Sequence, residues 1–293
     1  MKYWHTKYPK RFDLKTDEDY KKWREEKLAA YPENVGDLVV ELADMTAITD
    51  AEKSRILELV ELANMCVYTA GAAELGSDAL LTLGAQLGVT DTDKSTRHPK
   101  SDELTDSGIL NKAIPFSTRH VRWHTDATYY GSNKTVQALF LLCKRAALKG
   151  GSNKVLDNEI LYILLRDKEP EALATLMEKD CFNYKNPKTG EVSQHLGGRV
   201  FWTNPDGHLC HRFSFRKMDM AWPEDSEVLA ARDCLESLIL NESGYVIEGR
   251  LESGMGLISN NVIHTREKLV DSDDASNKRL LFRARYYDRV NAC

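Results

Sequence analysis

The sequence predicts a mainly β protein, a jelly-roll barrel braced by helices. Residues 135–143, TVQALFLLC, form an apolar run with the length of a buried strand. The turn sequence Asn204-Pro205-Asp206-Gly207 separates two further strand-like runs and predicts a hairpin. Strand-like patterns also occur at residues 153–156, 199–203, 209–215, 245–251, 256–263 and 279–288. Many strands spaced by turns are typical of a jelly roll.

Helices are predicted at the start of the chain and at two interruptions of the strands. Residues 16–31 and 50–66 have helical patterns, and in the second Asp50 is the predicted N-cap. Helical patterns recur at about residues 158–180 and 224–240. The length is compatible with one folding unit. We therefore predict a single domain, residues 1–293, with mainly helical support over residues 1–90 and a jelly-roll core over residues 110–290.

Residues 88–112 separate the helical start from the β core and are rich in Asp, Ser, Thr and Lys. This composition disfavours burial, because a buried charge needs a partner. We predict a surface loop or a mobile flap in this segment. It lies immediately before the segment with the clearest chemistry.

The overall charge limits the partners of the chain. It has 40 Lys and Arg against 45 Asp and Glu, a net charge of -5, which argues against nucleic acid or an anionic membrane. Its six Cys include no CxxC pair, which favours reduced thiols. The sequence shows no signal-peptide pattern and no run of about 18 apolar residues. We expect a soluble cytoplasmic protein with a small-molecule substrate, and the sequence leaves homo-oligomer formation open.

A metal site is predicted from two separate segments. In VRWHTD, His124 and Asp126 stand two positions apart, so in an extended strand both side chains project to the same side. The apolar run GLISNNVIH ends in His264. Two imidazoles and one carboxylate leave adjacent positions open on a metal, as non-haem Fe(II) oxygenases require. The HxD spacing alone is common by chance, and a lone His is more often structural.

Two arginines follow the second His in a run that reads as a buried strand, RLLFR. Arg279 lies 15 residues after His264 (279 − 264 = 15), and Arg283 lies four residues later (283 − 279 = 4). Guanidinium groups in such a strand imply anionic partners, because an unpaired buried charge is costly. A carboxylate bound through two hydrogen bonds is the natural partner.

The ordered combination of HxD, a distal His after an apolar strand and RxxxR resembles the taurine dioxygenase and 2,4-dichlorophenoxyacetate dioxygenase family over residues 110–290. The resemblance implies a double-stranded β-helix. It also implies that His124, Asp126 and His264 bind a catalytic Fe(II).

The same resemblance implies 2-oxoglutarate and O2 as co-substrates. Arg279 corresponds to the residue that binds the distal carboxylate of 2-oxoglutarate. Arg283 corresponds to the position that in some relatives binds an anionic group of the substrate. The implied reaction decarboxylates 2-oxoglutarate to succinate and CO2 while it oxidises an unactivated C–H bond of the substrate.

One turn departs from the pattern of the family. The family usually has Gly-Gly-x-Thr, whose Thr hydroxyl helps to hold 2-oxoglutarate, whereas this chain reads Gly150-Gly151-Ser152-Asn153. The hydroxyl of Ser152 and the amide of Asn153 are the candidate replacements.

The turn and the RWHTD segment are similar to the branch that includes free-lysine halogenases and related hydroxylases. The halogenases have a small residue in place of the metal-binding acid. Because Asp126 is present, hydroxylation or a related oxidation such as desaturation is favoured. The resemblance implies a free amino acid as substrate, with lysine or another cationic amino acid as an option.

Residues near the motif are candidates for substrate contacts. Arg122, Tyr129, Tyr130 and Trp202 could line a pocket, or they could be barrel packing, since aromatic residues favour strands in any case. Asp157 and Glu159 could receive a substrate amine, although an exposed helix face is the more common role. One residue of the pair Asn260 and Asn261 is expected to support a metal ligand by a hydrogen bond.

Three alternatives remain at this point. The substrate could be a sulfonate or another small organic acid. A cupin-like hydrolase or isomerase with Zn or Mn would use the same three ligands, but it gives no account of RxxxR. A non-catalytic ligand-binding barrel would leave the three ligands without a role.

Overall fold

The computed structural model describes residues 9–71, 75–93, 102–106, 116–130, 135–185, 190–216, 220–241 and 244–291. The chain divides into two compact units, each built from three segments. The helical unit consists of Met1–Tyr31, Ala127–Thr135 and Leu156–Val246. The β unit consists of Pro32–Asp126, Val136–Val155 and Ile247–Cys293. The expectation of a single oxygenase domain stays a prediction.

The described residues contain six α-helices and 17 strands. The helices are α1 (Glu18–Ala30), α2 (Asp50–Ala63), α3 (Ser77–Gln86), α4 (Asn158–Lys168), α5 (Pro170–Glu178) and α6 (Ser226–Asn241). The strands are β1 (Val39–Glu41), β2 (Met65–Thr69), β3 (Asp102–Leu104), β4 (Val121–His124), β5 (Ala138–Arg145), β6 (Lys149–Gly150), β7 (Asn153–Leu156), β8 (Phe182–Lys185), β9 (Val192–Gly198), β10 (Phe201–Thr203), β11 (Leu209–His211), β12 (Met220–Ala221), β13 (Ile247–Gly249), β14 (Met255–Ser259), β15 (Ile263–Arg266), β16 (Leu269–Val270) and β17 (Leu280–Tyr286). Within the described ranges, no helix combines the length and the apolar character needed to span a membrane.

A six-stranded sheet of the β unit has the order β1-β2-β14-β5-β17-β3. β5 lies inside this sheet and pairs antiparallel with β14 and with β17. Its first six residues are all buried, as expected for a short, continuously apolar run. The prediction of a buried strand at residues 135–143 is confirmed, with a shift of its bounds.

A four-stranded sheet in the same unit has the order β13-β7-β15-β4. The prediction of one strand over residues 256–263 is wrong, because the run divides into β14 of the six-stranded sheet and β15 of the four-stranded sheet. Between them Asn261 has a φ of 51°, a left-handed conformation that Asn tolerates better than most residues. His264 therefore lies near the start of a new strand, not at the end of an apolar one.

The first third of the chain is less helical than predicted. α1 and α2 lie where helices are predicted, but β1 and β2 pair in parallel and join the six-stranded sheet. The N-cap of α2 is Thr49, not Asp50, because the Thr49 hydroxyl accepts from the N–H of Glu52 while the Glu52 carboxylate accepts from the N–H of Thr49. β1 pairs with β2, and β2 also pairs with the remote β14, so local patterns do not reveal these short strands.

The described part of the polar segment 88–112 is only partly a surface loop, since several of its residues are buried and others are exposed, namely Gly88, Thr90 and Asp91. β3 is an edge strand of the six-stranded sheet, and Asp102 at its start is 3% exposed. Asp93 is fully buried and lies 2.8 Å from the guanidinium of Arg285. These carboxylates are buried because arginines of β17 neutralise them. The rest of the segment lies outside the described residues, and a flap there stays a prediction.

The helical unit contains α1, α4, α5 and α6, the hairpin β10-β11 and a three-stranded sheet β12-β8-β9. α4 and α5 confirm the helical segment predicted at about residues 158–180, and α6 confirms the one predicted at 224–240. The predicted hairpin is also confirmed, since β10 and β11 pair antiparallel on either side of the Asn-Pro-Asp-Gly turn.

A buried lysine joins α1 to the start of α4. Nζ of Lys27 lies 2.7 Å from a carboxylate oxygen of Asp157 and 2.6 Å from one of Glu159. Burial lowers the pKa of Lys27, but the two carboxylates outweigh it, so the pKa is raised above its ordinary value. Neither acid lies on an exposed helix face as expected, and both already bind an amine that belongs to the protein.

Replacing Lys27 with Met is expected to destabilise the protein by about 3–5 kcal/mol, because two buried carboxylates lose their cation. Lys179→Met is the matched control. Lys179 also contacts two acids, Asp225 at 2.9 Å and Glu227 at 2.6 Å, but its side chain is 38% exposed, so the loss should be much smaller. Urea unfolding compares the two variants. Equal losses would contradict burial as the cause.

Candidate metal centre

The pairing of β4 with β15 brings the two predicted ligand segments together. The strands are antiparallel, and His124 lies directly opposite His264, with ring centroids 4.3 Å apart. Oδ1 of Asp126 lies 3.4 Å from Nε2 of His124 and 3.8 Å from Nε2 of His264. One donor atom from each residue thus lies within 4.8 Å of the other two.

Both imidazoles present the same nitrogen to the centre of this group. Nδ1 of His124 lies 2.8 Å from the carbonyl of Arg122, and Nδ1 of His264 lies 2.9 Å from the carbonyl of Val262. When each Nδ1–H donates to its carbonyl, the Nε2 lone pair is free to bind a metal. Burial, and then the neighbouring His124, lower the pKa of His264 to about 4. Two imidazoles and one carboxylate fit a divalent ion such as Fe(II).

Asn261 holds the backbone of the acidic member of this group. Its Oδ1 accepts from the N–H of Asp126 at 2.8 Å, and its Nδ2 donates to the carbonyls of Asp126 at 3.2 Å and Val136 at 2.8 Å. Asn260 instead bonds with the N–H and the carbonyl of Val290. Of the two predicted candidates, Asn261 therefore supports the ligand.

The carboxylate of Asp126 is buried, at 5% exposure, beside Arg283. Burial raises the pKa of Asp126, but the Arg283 guanidinium and the contact with His124 outweigh it and lower the pKa well below its ordinary value. Nη1 of Arg283 lies 3.0 Å from Oδ2 of Asp126, and Nη2 lies 2.7 Å from Oδ2 of Asp102. The guanidinium that sequence analysis assigns to a substrate anion thus contacts two carboxylates of the protein.

Asp102 is a residue that sequence reasoning missed. It stands in a polar segment whose composition predicts exposure, and nothing in its local pattern links it to β17. The antiparallel pairing of β3 with β17 places it directly opposite Arg283. Only this pairing identifies it as a partner.

Arg279 is buried, at 8% exposure, and its guanidinium makes no hydrogen bond or ion pair with any described residue. Its backbone N–H donates to the carboxylate of Asp271 at 2.7 Å. Burial lowers the pKa of Arg279, although Cys143 and Asp271 oppose this shift. Burial, and then Arg279, lower the pKa of Arg266 to about 10. Two buried cations that repel each other favour an anionic ligand at Arg279.

The Gly-Gly turn before β7 has the expected backbone. Gly150 has a φ of 71° and Gly151 a φ of 80°, and a Cβ on Gly150 would lie 2.5 Å from the carbonyl oxygen of Lys268. Only glycine fits such a position. Nδ2 of Asn153 donates to the carbonyl of Gly151 at 3.4 Å. The expected contacts of Ser152 and Asn153 with 2-oxoglutarate stay predictions.

The sequence model of the taurine catabolism dioxygenase TauD, TfdA family matches residues 27–285. The chain belongs to this family. Membership confirms the family resemblance. The likeness to the branch with free-lysine halogenases stays a prediction.

Curated proteins similar to this chain include two uridine-5′-phosphate dioxygenases. The protein from Streptomyces sp is 27% identical over 167 residues, which cover 55% of this chain and 60% of that protein. The protein from Amycolatopsis sp is 25% identical over 175 residues, which cover 58% of this chain and 62% of that protein. The match therefore spans less than two thirds of each relative.

Solved structures of similar fold include the non-heme iron oxygenase OrfP in complex with Fe and alpha-ketoglutaric acid, at 15% identity and a TM-score of 0.62. That match covers 82% of this chain and 80% of OrfP. An asparagine oxygenase in complex with Fe(II), 2S,3S-3-hydroxyasparagine and succinate has 12% identity and a TM-score of 0.58, over 81% of this chain and 84% of that protein. These likenesses show the fold, and the predicted mainly β, jelly-roll fold class is confirmed.

Of the residues predicted to contact substrate, some belong to the β unit and others to the helical unit. Arg122 is exposed in β4, two residues before His124 and so on the same side of that strand. Tyr129 and Tyr130 belong to the helical unit, where their ring centroids are 4.7 Å apart. Trp202 in β10 of the same unit is 9% exposed. Each substrate assignment stays a prediction.

Replacing Asn261 with Gly is expected to weaken divalent-metal binding about 10–100-fold, because the backbone of Asp126 loses its support. Glycine accepts the positive φ at this position, so the change tests the side chain alone. Asn260→Gly is the matched control, since it removes a neighbouring buried amide that bonds to Val290. Titration of both metal-free variants with Fe(II) under argon compares them. An equal loss in the two variants would mean that Asn261 has no special role.

Proposed function

We propose that the chain hydroxylates an aliphatic C–H bond of a small substrate, with Fe(II) bound by His124, Asp126 and His264. The convergence of three donor atoms within 4.8 Å, both imidazoles presenting Nε2, is the observation that carries this proposal. When bound, the iron would supply the oxidising chemistry with O2 as the oxidant: one oxygen atom would enter succinate as 2-oxoglutarate loses CO2, and the other would enter the hydroxylated product. The protein holds the ligands in place, and burial favours the neutral form of the His264 imidazole by lowering its pKa.

Arg279 is the proposed partner of the distal carboxylate of 2-oxoglutarate. Its buried guanidinium makes no direct ion pair with a described carboxylate, although the nearby Asp271 opposes the lowering of its pKa by burial. Burying such a charge is costly until an anion pairs with it. Its effect on the pKa of Arg266 in β15 supports a position close to the strand that carries His264. Ser152 and Asn153 are the proposed second contact, beside the Gly-Gly turn.

We propose a free amino acid as the substrate, with a cationic amino acid such as lysine as the first to test. The sequence resemblance to the amino-acid-modifying branch supports this proposal, as do the ligands of structurally similar oxygenases, which include (3S)-hydroxy-L-Arg and 3-hydroxyasparagine. Arg122, Tyr129, Tyr130 and Trp202 are the proposed substrate contacts. Asp157 and Glu159 are not proposed as the amine site, because Lys27 already binds both.

A second candidate is a small anionic substrate such as a nucleotide or a sulfonate. Two curated relatives are named uridine-5′-phosphate dioxygenase, and an exposed arginine, Arg122, lies on the His124 side of β4. A guanidinium at this place suits a phosphate or sulfonate group. This candidate uses the same metal and co-substrate and differs only in the substrate.

Succinate formation is the measurement that tests the proposed function. The protein is supplied with Fe(II), 2-oxoglutarate and one candidate at a time from a panel of free amino acids, uridine 5′-phosphate and taurine. We expect succinate and a product heavier by one oxygen with an amino acid, no chlorinated product in chloride buffer, and no turnover in His264→Ala. Turnover only with uridine 5′-phosphate or taurine would overturn the amino-acid proposal, whereas succinate formation by His264→Ala would overturn the metal site.

Arg279→Ala is expected to weaken 2-oxoglutarate binding by about 2–5 kcal/mol without loss of the metal, because one partner of a buried charge pair is removed. Arg279→Lys should recover part of this loss, since it keeps the charge but not the two parallel hydrogen bonds. Arg145→Ala is the control, as Nε of Arg145 donates to the carbonyl of Lys278 at 2.6 Å. The dissociation constant of 2-oxoglutarate in the absence of O2 is measured for each. An unchanged constant in Arg279→Ala would remove the assignment.

A further inference from the structure

Arg283 contacts the oxygen of Asp126 that faces away from the two imidazoles. Nη1 of Arg283 lies 3.0 Å from Oδ2 of Asp126. The other oxygen, Oδ1, is the one that lies 3.4 Å from Nε2 of His124 and 3.8 Å from Nε2 of His264. The two oxygens of one carboxylate therefore have different partners, and only Oδ1 faces the proposed metal position.

The remaining nitrogens of Arg283 bind a second carboxylate. Nη2 lies 2.7 Å and Nε 3.3 Å from Oδ2 of Asp102. Asp102 stands directly opposite Arg283 across the antiparallel pairing of β3 with β17, so backbone hydrogen bonds fix this contact. Both side chains are buried, at 9% and 3% exposure. The guanidinium is thus held from one side by the sheet and extends to Asp126 on the other.

These contacts occupy the guanidinium nitrogens of Arg283 and so disfavour binding of a substrate anion there. Each of its three nitrogens already donates to a carboxylate of the protein. A substrate carboxylate would have to displace Asp102 or Asp126 and leave a buried charge without its partner, which is costly. The geometry favours a role toward Asp126 rather than toward substrate.

We propose that Arg283 and Asp102 are positioning residues for Asp126. Arg283 occupies Oδ2, so that Asp126 offers a single oxygen to the metal, and Asp102 keeps the guanidinium in the required orientation. A single-oxygen ligand leaves more coordination positions open for a bidentate co-substrate and O2. This inference rests on the proposed metal site, and it assigns to Arg283 a different role from the substrate contact that the sequence resemblance implies.

Arg285 provides a matched control in the same strand. Its Nη2 lies 2.8 Å from Oδ2 of Asp93 and 4.0 Å from Oδ2 of Asp102. It is as buried as Arg283, at 5% against 8% exposure. Replacing it removes an equally buried guanidinium two positions away, without removing the hydrogen bond to Asp126.

The test uses Co(II) as the probe, because its visible absorption reports the coordination number and because no turnover is needed. The metal-free wild type, Arg283→Met, Arg283→Lys, Asp102→Asn and Arg285→Met are titrated with Co(II) under argon, and circular dichroism checks the fold of each. Arg283→Met should bind Co(II) about 10–100-fold more weakly and with a changed absorption, because Asp126 can then offer both oxygens. Asp102→Asn should show the same spectral change in weaker form, and Arg285→Met should resemble the wild type. Arg283→Lys should fall between Met and wild type, since an ammonium can bind Oδ2 but not both carboxylates in one plane.

The outcomes separate this inference from the proposed function. If the wild type fails to bind Co(II), the metal site itself is wrong, and the positioning role falls with it. If the wild type binds and Arg283→Met keeps the wild-type affinity and absorption, the metal site stands and the positioning role is overturned. Tighter binding in Arg283→Met would mean that Arg283 only repels the cation, which also overturns it. Should Arg283→Met fail to fold, an unchanged absorption in Asp102→Asn and Arg283→Lys would overturn the proposal in its place.

Discussion

His124 and His264 lie opposite each other because β4 pairs antiparallel with β15, and the rest of the site is arranged around this pairing. Asp126 follows the end of β4, and Asn261, at the corner before β15, holds its backbone. A shift of the pairing by one residue would turn one imidazole to the opposite face of the sheet. The geometry of the proposed metal ligands therefore depends on backbone hydrogen bonds between segments that are far apart in the sequence.

Buried charge is the second feature on which the β unit depends. Asp102 and Asp126 share the guanidinium of Arg283, and Asp93 pairs with Arg285. This network has three carboxylates and two guanidinium groups within the described residues, and Oδ1 of Asp126 lies where the imidazole nitrogens converge. Arg279, in contrast, makes no direct ion pair with a carboxylate in the described part of the chain. A divalent cation would complement the excess negative charge at Asp126, and a dicarboxylate would complement the positive charge of Arg279. Both ligands agree with the chemistry of the family.

The observed partners of two buried side chains reduce the number of residues that could bind a charged substrate. Arg283 contacts protein carboxylates, and Lys27 binds both acids that could have received an amine. Three of the charges that sequence analysis offers to an amino acid are thus already paired inside the protein. The amino-acid proposal rests on the resemblance and on the neighbouring structures, and Arg122 becomes the charged residue of interest for substrate selection.

Elements whose signals are local can be predicted from the amino-acid sequence. The HxD spacing predicts that His124 and Asp126 share a side, because strand side chains alternate with period two, and the apolar run of β5 predicts a buried strand. Contacts between residues that are distant in the sequence can be seen only in the tertiary structure. The division at Asn261 that starts β15, the approach of Asp102 to Arg283 and the burial of Lys27 between two acids all depend on pairings between remote segments. Such pairings leave no periodic pattern in either segment, because the stabilising partner of each charge or strand lies elsewhere in the chain.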